Sequence, residues 1–364
     1  MSRQALAAAA VAVAILGTGV AACGGDDDGD GGCGGDKQIA LLLPETKTTR
    51  YEAHDRPAFE AEVKRLCPDC EVIYANASQD ATKQQTQAEA AITKGADVLV
   101  LDAMDAKSAT AMVERAKESD IPVLAYDRLI SGTEIDFYVS FENVEQGRLQ
   151  ARSLLDGLGS DPSDQSIVMI NGSPTDPAAG EYKKGAHEVL DKSGVDIAKE
   201  YDTPDWSPDK AQREMEQAIT ALGKDKVAGV YSANDGMAGG AIAALKSAGV
   251  DPSSVPITGG DAEVAALQRI LIGEQYATIY LTIRKEAEMA AQLAVAAASG
   301  EKPPADLLNA KVDNAAGEVP SVLLTPVPVT KDNMADTVIK DGFYEPSEIC
   351  AGKFAKACQE AGIG

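Results

Sequence analysis

From Gln38 onward the chain repeats one unit, a short run of nearly unbroken apolar residues followed by a longer amphipathic stretch. IALLL at 39–43, EVIYA at 71–75, DVLVL at 97–101 and PVLAY at 122–126 read as strands, with helical stretches at 58–66, 82–94 and 106–119 between them. Runs without polar alternation suit strands covered on both faces, and the intervening helices are long enough for the crossovers that parallel strands require. A second series follows. Helices at 144–158, 180–192, 209–222, 237–248, 263–272 and 283–298 are interleaved with extended runs at 166–170, 196–201, 227–232, 256–260 and 276–280, and SVLLTPVPV at 321–329 is a last extended segment. Two successive βα series predict an α/β fold of two doubly wound parallel-sheet lobes with a cleft between them.

The amino terminus speaks to compartment. One Arg precedes an apolar stretch at 5–22 that ends in VAAC, with Cys23 last. A short basic region, an apolar core and small residues before a cleavage point read as a signal peptide over 1–22. A membrane-spanning helix is the competing reading of so long an apolar stretch, and the small-residue ending argues against it. VAAC resembles a bacterial lipobox, which makes Cys23 the lipidated first residue of the mature chain, anchored outside the cytoplasm by its acyl chains. Residues 23–36 then form a Gly- and Asp-rich tether with nothing to bury. Its Asp run matches no EF-hand spacing, and no metal is expected there.

The net charge of −24 argues against nucleic acid or an anionic membrane surface as a partner, since both require a basic face. It suits an exported protein, and a halophile-like surface would explain the same acidity. Beyond Cys23 and Cys33, the cysteines fall in two close pairs, Cys67 with Cys70 and Cys350 with Cys358. Outside the membrane thiols oxidise, so two local disulfides are expected. A zinc half-site at Cys67 and Cys70 is the alternative, but the chain has only two His and no second C-x-x-C. Cys33 is left over.

No strand-to-helix turn carries the Gly-rich fingerprint of a dinucleotide site or a P-loop, so no cofactor is expected. The strand ends instead bear single polar side chains: Arg50 and Tyr51, Asp127 and Arg128, Asp176, Asn234 and Asp235, and Asp261, while Trp206 sits in the loop-like TPDWSP. In an open α/β sheet these carboxyl ends are where ligands bind. Scattered Asp, Asn and Arg with aromatics suit an uncharged polyhydroxylated ligand: carboxylates, amides and guanidinium meet hydroxyls, and an aromatic face covers the C–H side of a sugar ring. Each residue has a plainer reading. Asn234, Asp235 and Asp261 could cap helices, Asp176 could make a turn before Pro177, Trp206 could be a buried rim residue, Tyr51 could be core, and Arg128 could pair with a surface acid.

Five segments in order resemble a known family: DRLISGTEIDFYVSFEN at 127–143, INGSPTD at 170–176, SANDGMAGGAI at 232–242, GGDAEVAALQRI at 259–270 and TPVPVTKDNMADTVIKDGF at 325–343. Together they are similar to the type I sugar-binding proteins of bacterial ABC importers, the xylose binders in particular, over nearly all of 38–343. The resemblance implies a monomeric receptor that closes on one monosaccharide and is crossed three times by the chain at its hinge. One lobe would comprise 37–143 plus 283–325, the other 144–282 plus 326–364. It makes Arg50, Tyr51 and Arg128 the first-lobe ligand contacts, with Tyr51 stacking on the sugar. It makes Trp206 the stacking aromatic of the second lobe and Asn234 and Asp261 its hydroxyl binders. Two positions depart from the xylose binders. Asp176-Pro177-Ala178 stands where they carry Asp-Asn-Asn, and Leu281 where they carry a Lys after the T-x-Y strand, so both a pentose and an aldohexose fit the pattern. The function implied is delivery of a monosaccharide to an ABC permease, with a sensor signalling to a membrane kinase as the alternative. An enzyme is not expected, since neither His54 nor His187 ends a strand.

Overall fold

The apolar runs become strands covered on both sides. The computed structural model describes residues 36–163 and 165–363; the expected leader, Cys23 and Cys33 lie outside them. In chain order the first half runs β1 (Gln38–Leu43), α1 (Arg56–Leu66), β2 (Glu71–Asn76), α2 (Ala81–Thr93), β3 (Val98–Leu101), α3 (Ala106–Lys117), β4 (Val123–Tyr126) and β5 (Phe137–Phe141). Then come α4 (Asn143–Leu158), β6 (Ser166–Asn171), α5 (Pro177–Leu190), β7 (Asp196–Asp202), α6 (Pro208–Leu222), β8 (Gly229–Ser232), α7 (Asp235–Ser247), α8 (Val264–Leu271) and β9 (Thr278–Tyr280). The chain finishes with α9 (Ile283–Ser299), β10 (Ala310–Asp313), β11 (Glu318–Leu324), β12 (Val327–Val329), α10 (Pro346–Ile349) and α11 (Ala355–Glu360).

The first lobe is a sheet of order β10-β11-β5-β4-β3-β1-β2. All its pairings are parallel except β10 with β11. Alternate residues of one strand enter different cores. Ile39, Leu41 and Leu43 pack with α1 and α9, while Ala40 and Leu42 pack with α2 and α3. That is why the run shows no polar alternation.

The second lobe holds the parallel sheet β7-β6-β8, extended by a bridge between Val230 and Ile257, and a separate antiparallel pair, β12-β9. Helices α4 and α5 touch backbone to backbone, since a Cβ on Gly147 would lie 1.9 Å from the Tyr182 carbonyl oxygen. The chain passes between the lobes after β5, after β9 and after β11. At this hinge Glu142 N donates to Leu324 O (2.9 Å), and Thr325 Oγ1 donates to the Glu142 carboxylate (2.9 Å).

Two expectations are corrected. No strand is expected between 126 and 144, yet Phe137–Phe141 is an interior strand between β4 and β11. Its polar side chains are buried but paired: Tyr138 OH and Ser140 Oγ both donate to Asp127 O. The extended segment 321–329 is divided, with Leu324 ending a strand of the first lobe and Val327 starting one of the second. Among the described residues no helix is long and apolar enough to cross a membrane. Both expected cysteine pairs, Cys67 with Cys70 and Cys350 with Cys358, are disulfide-bonded.

Candidate functional site

A small, partly open cavity lies between the lobes. Arg50, Tyr51 and Arg128 line it from the first lobe, and Asp176, Trp206, Asn234 and Asp261 from the second. The seven residues expected from the sequence as ligand contacts therefore meet at one place, whereas Asp235, also singled out at a strand end, does not line the cavity. Thr48, Asp127, Tyr182 and Ala233 also line it. Asp127 was visible as a strand-end residue, and Ala233 adjoins Asn234. Tyr182 sits inside a helix, where nothing in the local pattern marks it.

The first-lobe wall is a fixed ionic network. Arg128 follows Asp127, whose positive φ of 58° turns the chain sharply out of β4. Its guanidinium is 2% exposed, with Nε 3.0 Å from Asp176 Oδ2 and 3.3 Å from Asp102 Oδ1. Arg128 Nη2 donates to Tyr51 OH (3.2 Å), which in turn donates to Asp127 Oδ2 (3.2 Å). Arg50 is equally committed, donating to Asp55, to Asp127 Oδ1 (3.1 Å) and to Glu286 Oε2 (2.6 Å). Arg128 is thus no surface arginine. Two buried guanidinium groups face six carboxylates: Asp55, Asp102, Asp127, Asp176, Asp261 and Glu286. Burial pushes the carboxyls of Asp102 and Glu286 well above the usual range, against the pull of Arg128 and Arg50 respectively.

The second-lobe wall leaves groups free. Asp176 caps α5 by accepting from Ala178 N, and also accepts the Trp206 indole N–H (3.1 Å). Capping and cavity lining therefore coexist in one side chain. Trp206 ends a single 3₁₀ turn in which Asp205 and Trp206 both have positive φ. Its ring lies against Gly172, where a Cβ would come within 2.1 Å of it, and edge-on to Tyr182. Asn234 caps α7 through Oδ1, which accepts from Met237 N (2.9 Å). Its Nδ2 has no hydrogen-bond acceptor among the described residues. Asp261 caps nothing, since α8 starts after Glu263. Its φ is +88°, its backbone N donates to Ile279 O, and its carboxylate has no hydrogen-bond donor among the described residues. Burial raises that carboxyl well above its ordinary value.

Three further contacts join the lobes. Thr49 Oγ1 donates to Glu263 Oε1 (3.1 Å), Gln79 Nε2 to Asp205 O (2.8 Å) and Ala106 N to Thr175 O (3.5 Å). These contacts hold the two lobes against each other at the rim of the cavity. Leu281 does not face the cavity: it is 1% exposed in an apolar core with Phe141, Ile283 and Phe343. A leucine following β9 gains more from that core than from a polar cleft. Neither histidine lines the cavity. His54 meets Tyr344, and His187 pairs with Asp191 and Glu200 at the surface.

Comparison with known proteins agrees with this architecture. Residues 39–302 match the family model described as a periplasmic binding protein domain. The chain is 37% identical over 316 residues to the D-xylose-binding periplasmic protein of Escherichia coli, spanning 86% of this chain and 92% of that one. It is 34% identical over 288 residues to the multiple sugar-binding periplasmic receptor of Rhizobium radiobacter, spanning 74% and 81% of the two. A solute-binding protein of an ABC transporter from Clostridium phytofermentans, solved with bound β-D-glucose, superposes with a TM-score of 0.76. It is 26% identical, over 86% of this chain and 100% of that one. These relatives are binding proteins and not enzymes. The chain belongs to the periplasmic binding protein family, as a type I sugar-binding protein similar to the D-xylose binders.

Proposed function

We propose that this chain is an extracytoplasmic receptor that closes on one uncharged monosaccharide, an aldopentose or aldohexose, and delivers it to an ABC importer. The observation that carries this reading is the asymmetry of the cavity. Its first-lobe guanidinium groups are held in internal ion pairs, whereas its second-lobe wall offers the Asp261 carboxylate and the Asn234 amide beside the Trp206 ring. An unpaired acceptor and an unpaired donor next to an aromatic face match a diol on a sugar ring. The surplus of carboxylates opposes sugar phosphates and uronates, because a further anion would enter without a free cation to meet it.

Ligand contacts are assigned to Arg50, Tyr51, Arg128, Asp176, Trp206, Asn234 and Asp261. The receptor acts as a monomer, and the diacylated Cys23 holds it at the membrane through the tether that follows. Similarity to a D-xylose-binding protein and to a receptor of multiple sugars supports the class of ligand and leaves both pentoses and hexoses in play.

The test is calorimetry of residues 37–364 with D-xylose, D-glucose and D-glucuronate. Saturable binding of a neutral sugar with no response to glucuronate is expected, and silence toward a broad set of neutral pentoses and hexoses would overturn the reading. Metabolic labelling with a fatty acid, lost in Cys23→Ala, checks the anchor. Co-purification with a permease instead of a membrane kinase separates delivery from sensing.

A further inference from the structure

Asp261, which carries the proposed diol contact, sits in a turn that cannot hold its own shape. Asp261 and the residue after it, Ala262, both have positive φ, 88° and 52°. Neither is glycine, and consecutive left-handed residues are costly unless their surroundings impose them. The surroundings that do so converge on Asp235, a fully buried residue whose carboxylate does not line the cavity.

Asp235 grips the turn from both sides. On the near side its backbone N donates to Gly260 O (3.0 Å). On the far side its Oδ2 accepts from Glu263 N (2.9 Å). Thr278 Oγ1 adds a third tie, donating to Asp235 Oδ2 (2.9 Å) while accepting from Ala262 N (3.2 Å). The other carboxylate oxygen, Oδ1, accepts from Gln275 Nε2 (2.8 Å). Gln275 is itself fixed by Arg269, whose Nε donates to Gln275 Oε1 (3.0 Å) and whose Nη2 donates to Asp235 O (2.8 Å). The fit leaves no slack, since a Cβ on Gly259 would lie 2.0 Å from Asp235 Oδ1. The same grip fixes the backbone of Glu263, whose carboxylate accepts the closing contact from Thr49.

The geometry points to Asp235 as a positioning residue for ligand recognition, holding the 260–263 turn so that the Asp261 carboxylate meets one particular hydroxyl. This rests on the proposed sugar-binding function. A residue that only supported the fold would affect all neutral sugars alike. A positioning residue is tied to the hydroxyl that Asp261 receives.

The experiment measures affinities for D-glucose, D-xylose and their monodeoxy analogues in wild type, Asp261→Asn, Asp235→Asn and Thr278→Val. Asp235→Asn places a donor against Gln275 Nε2. Thr278→Val keeps the side-chain shape and removes the hydroxyl that ties Ala262 N to Asp235, so it reports even where Asp235→Asn does not fold. In wild type, removing the hydroxyl that Asp261 meets should weaken binding roughly tenfold or more. Asp235→Asn and Thr278→Val are expected to weaken the parent sugar and to erase most of that one deoxy penalty, the same penalty that Asp261→Asn erases. The double substitution Asp235→Asn with Gln275→Glu restores a donor–acceptor pair at that position and should recover part of the penalty. Folded variants with an undiminished deoxy penalty would overturn the inference, as would an equal loss for every analogue. Absence of any sugar binding by wild type would instead overturn the function on which it rests.

Discussion

Arg128 Nε lies 3.0 Å from Asp176 Oδ2, so a guanidinium anchored in the first lobe is paired with a carboxylate that caps a helix of the second. Asp176 is joined in that pairing by Asp102 from the first lobe. The pair brings the lobes together beside Trp206, whose indole N–H donates to the same Asp176 oxygen. Closure and the placing of the second-lobe aromatic therefore share one carboxylate.

Arg128 and Asp261 are expected to fail differently when replaced. Arg128→Ala strands the buried Asp102 and Asp176 carboxylates, so it should abolish sugar binding and also cost about 3–5 kcal/mol of stability. Asp261→Asn removes no internal ion pair, and Asn tolerates positive φ. It should weaken binding roughly tenfold or more while leaving the melting temperature near that of wild type. Chemical denaturation and calorimetry on both variants check this. A binding-competent Arg128→Ala would remove Arg128 from the site.

Trp206 is the only tryptophan, so its fluorescence reports directly on the cavity. Sugar binding should change the emission intensity or wavelength. Gly172→Ala sets a methyl within 2.1 Å of the ring and must displace it. That variant should fold, show altered emission without sugar, and bind at least roughly tenfold more weakly. An unchanged fluorescence response in Gly172→Ala would show that the ring does not meet the ligand.

His54 gives a pH dependence whose sign is fixed. Burial first, and Arg284 next, hold its imidazole below the ordinary histidine value. The unfolded chain therefore takes up a proton at a higher pH than the folded one. The contribution to stability is complete above about pH 6.5 and is lost as the pH falls toward the lower folded value. His54→Gln keeps a hydrogen-bonding partner for Tyr344 and removes this loss. The stability of wild type relative to His54→Gln should thus decline below about pH 6.5, read from melting temperatures across the range. The comparison is needed because Asp261 and Glu286, whose values are raised by burial, change stability in the opposite direction. A difference that stays flat with pH would show that His54 titrates normally.

The disulfide between Cys350 and Cys358 closes a short loop, with a sequence separation of 8. Closing so short a loop contributes at most about 2–3 kcal/mol. Cys358 and Ile349, the residue before the loop, pack onto the core that holds Leu267, Ile270 and Leu271 of α8. Replacing both cysteines by Ser should lower the melting temperature without changing sugar affinity, since no residue of 346–363 lines the cavity. Thermal melts and calorimetry of the double variant decide between the two effects.

Much of this was legible along the chain. The unbroken apolar runs and the helices between them report a local period and therefore declare a doubly wound α/β fold. The polar residues at the strand ends declare the cleft, because in such a sheet each strand end points the same way. Asp176 and Asn234 were also legible as caps, and they serve as both caps and cavity lining. The strand Phe137–Phe141 was missed because its Tyr138 and Ser140 look exposed in sequence, and only the Asp127 carbonyl shows how they are buried.

The sequence by itself determined the order of elements, the family to which those elements belong and the set of polar residues that gather at the cleft. The tertiary structure alone decided what each of them is free to do. Arg50 meets Glu286 across a sequence separation of 236 residues, and Arg128 meets Asp176 across lobes. Such pairings engage both guanidinium groups, whereas the Asp261 carboxylate and the Asn234 Nδ2 have no hydrogen-bond partner among the described residues. Leu281 was likewise assigned to the core by neighbours distant in the chain. A local period reports which face of an element is apolar, whereas burial and charge pairing depend on what the fold brings against that face.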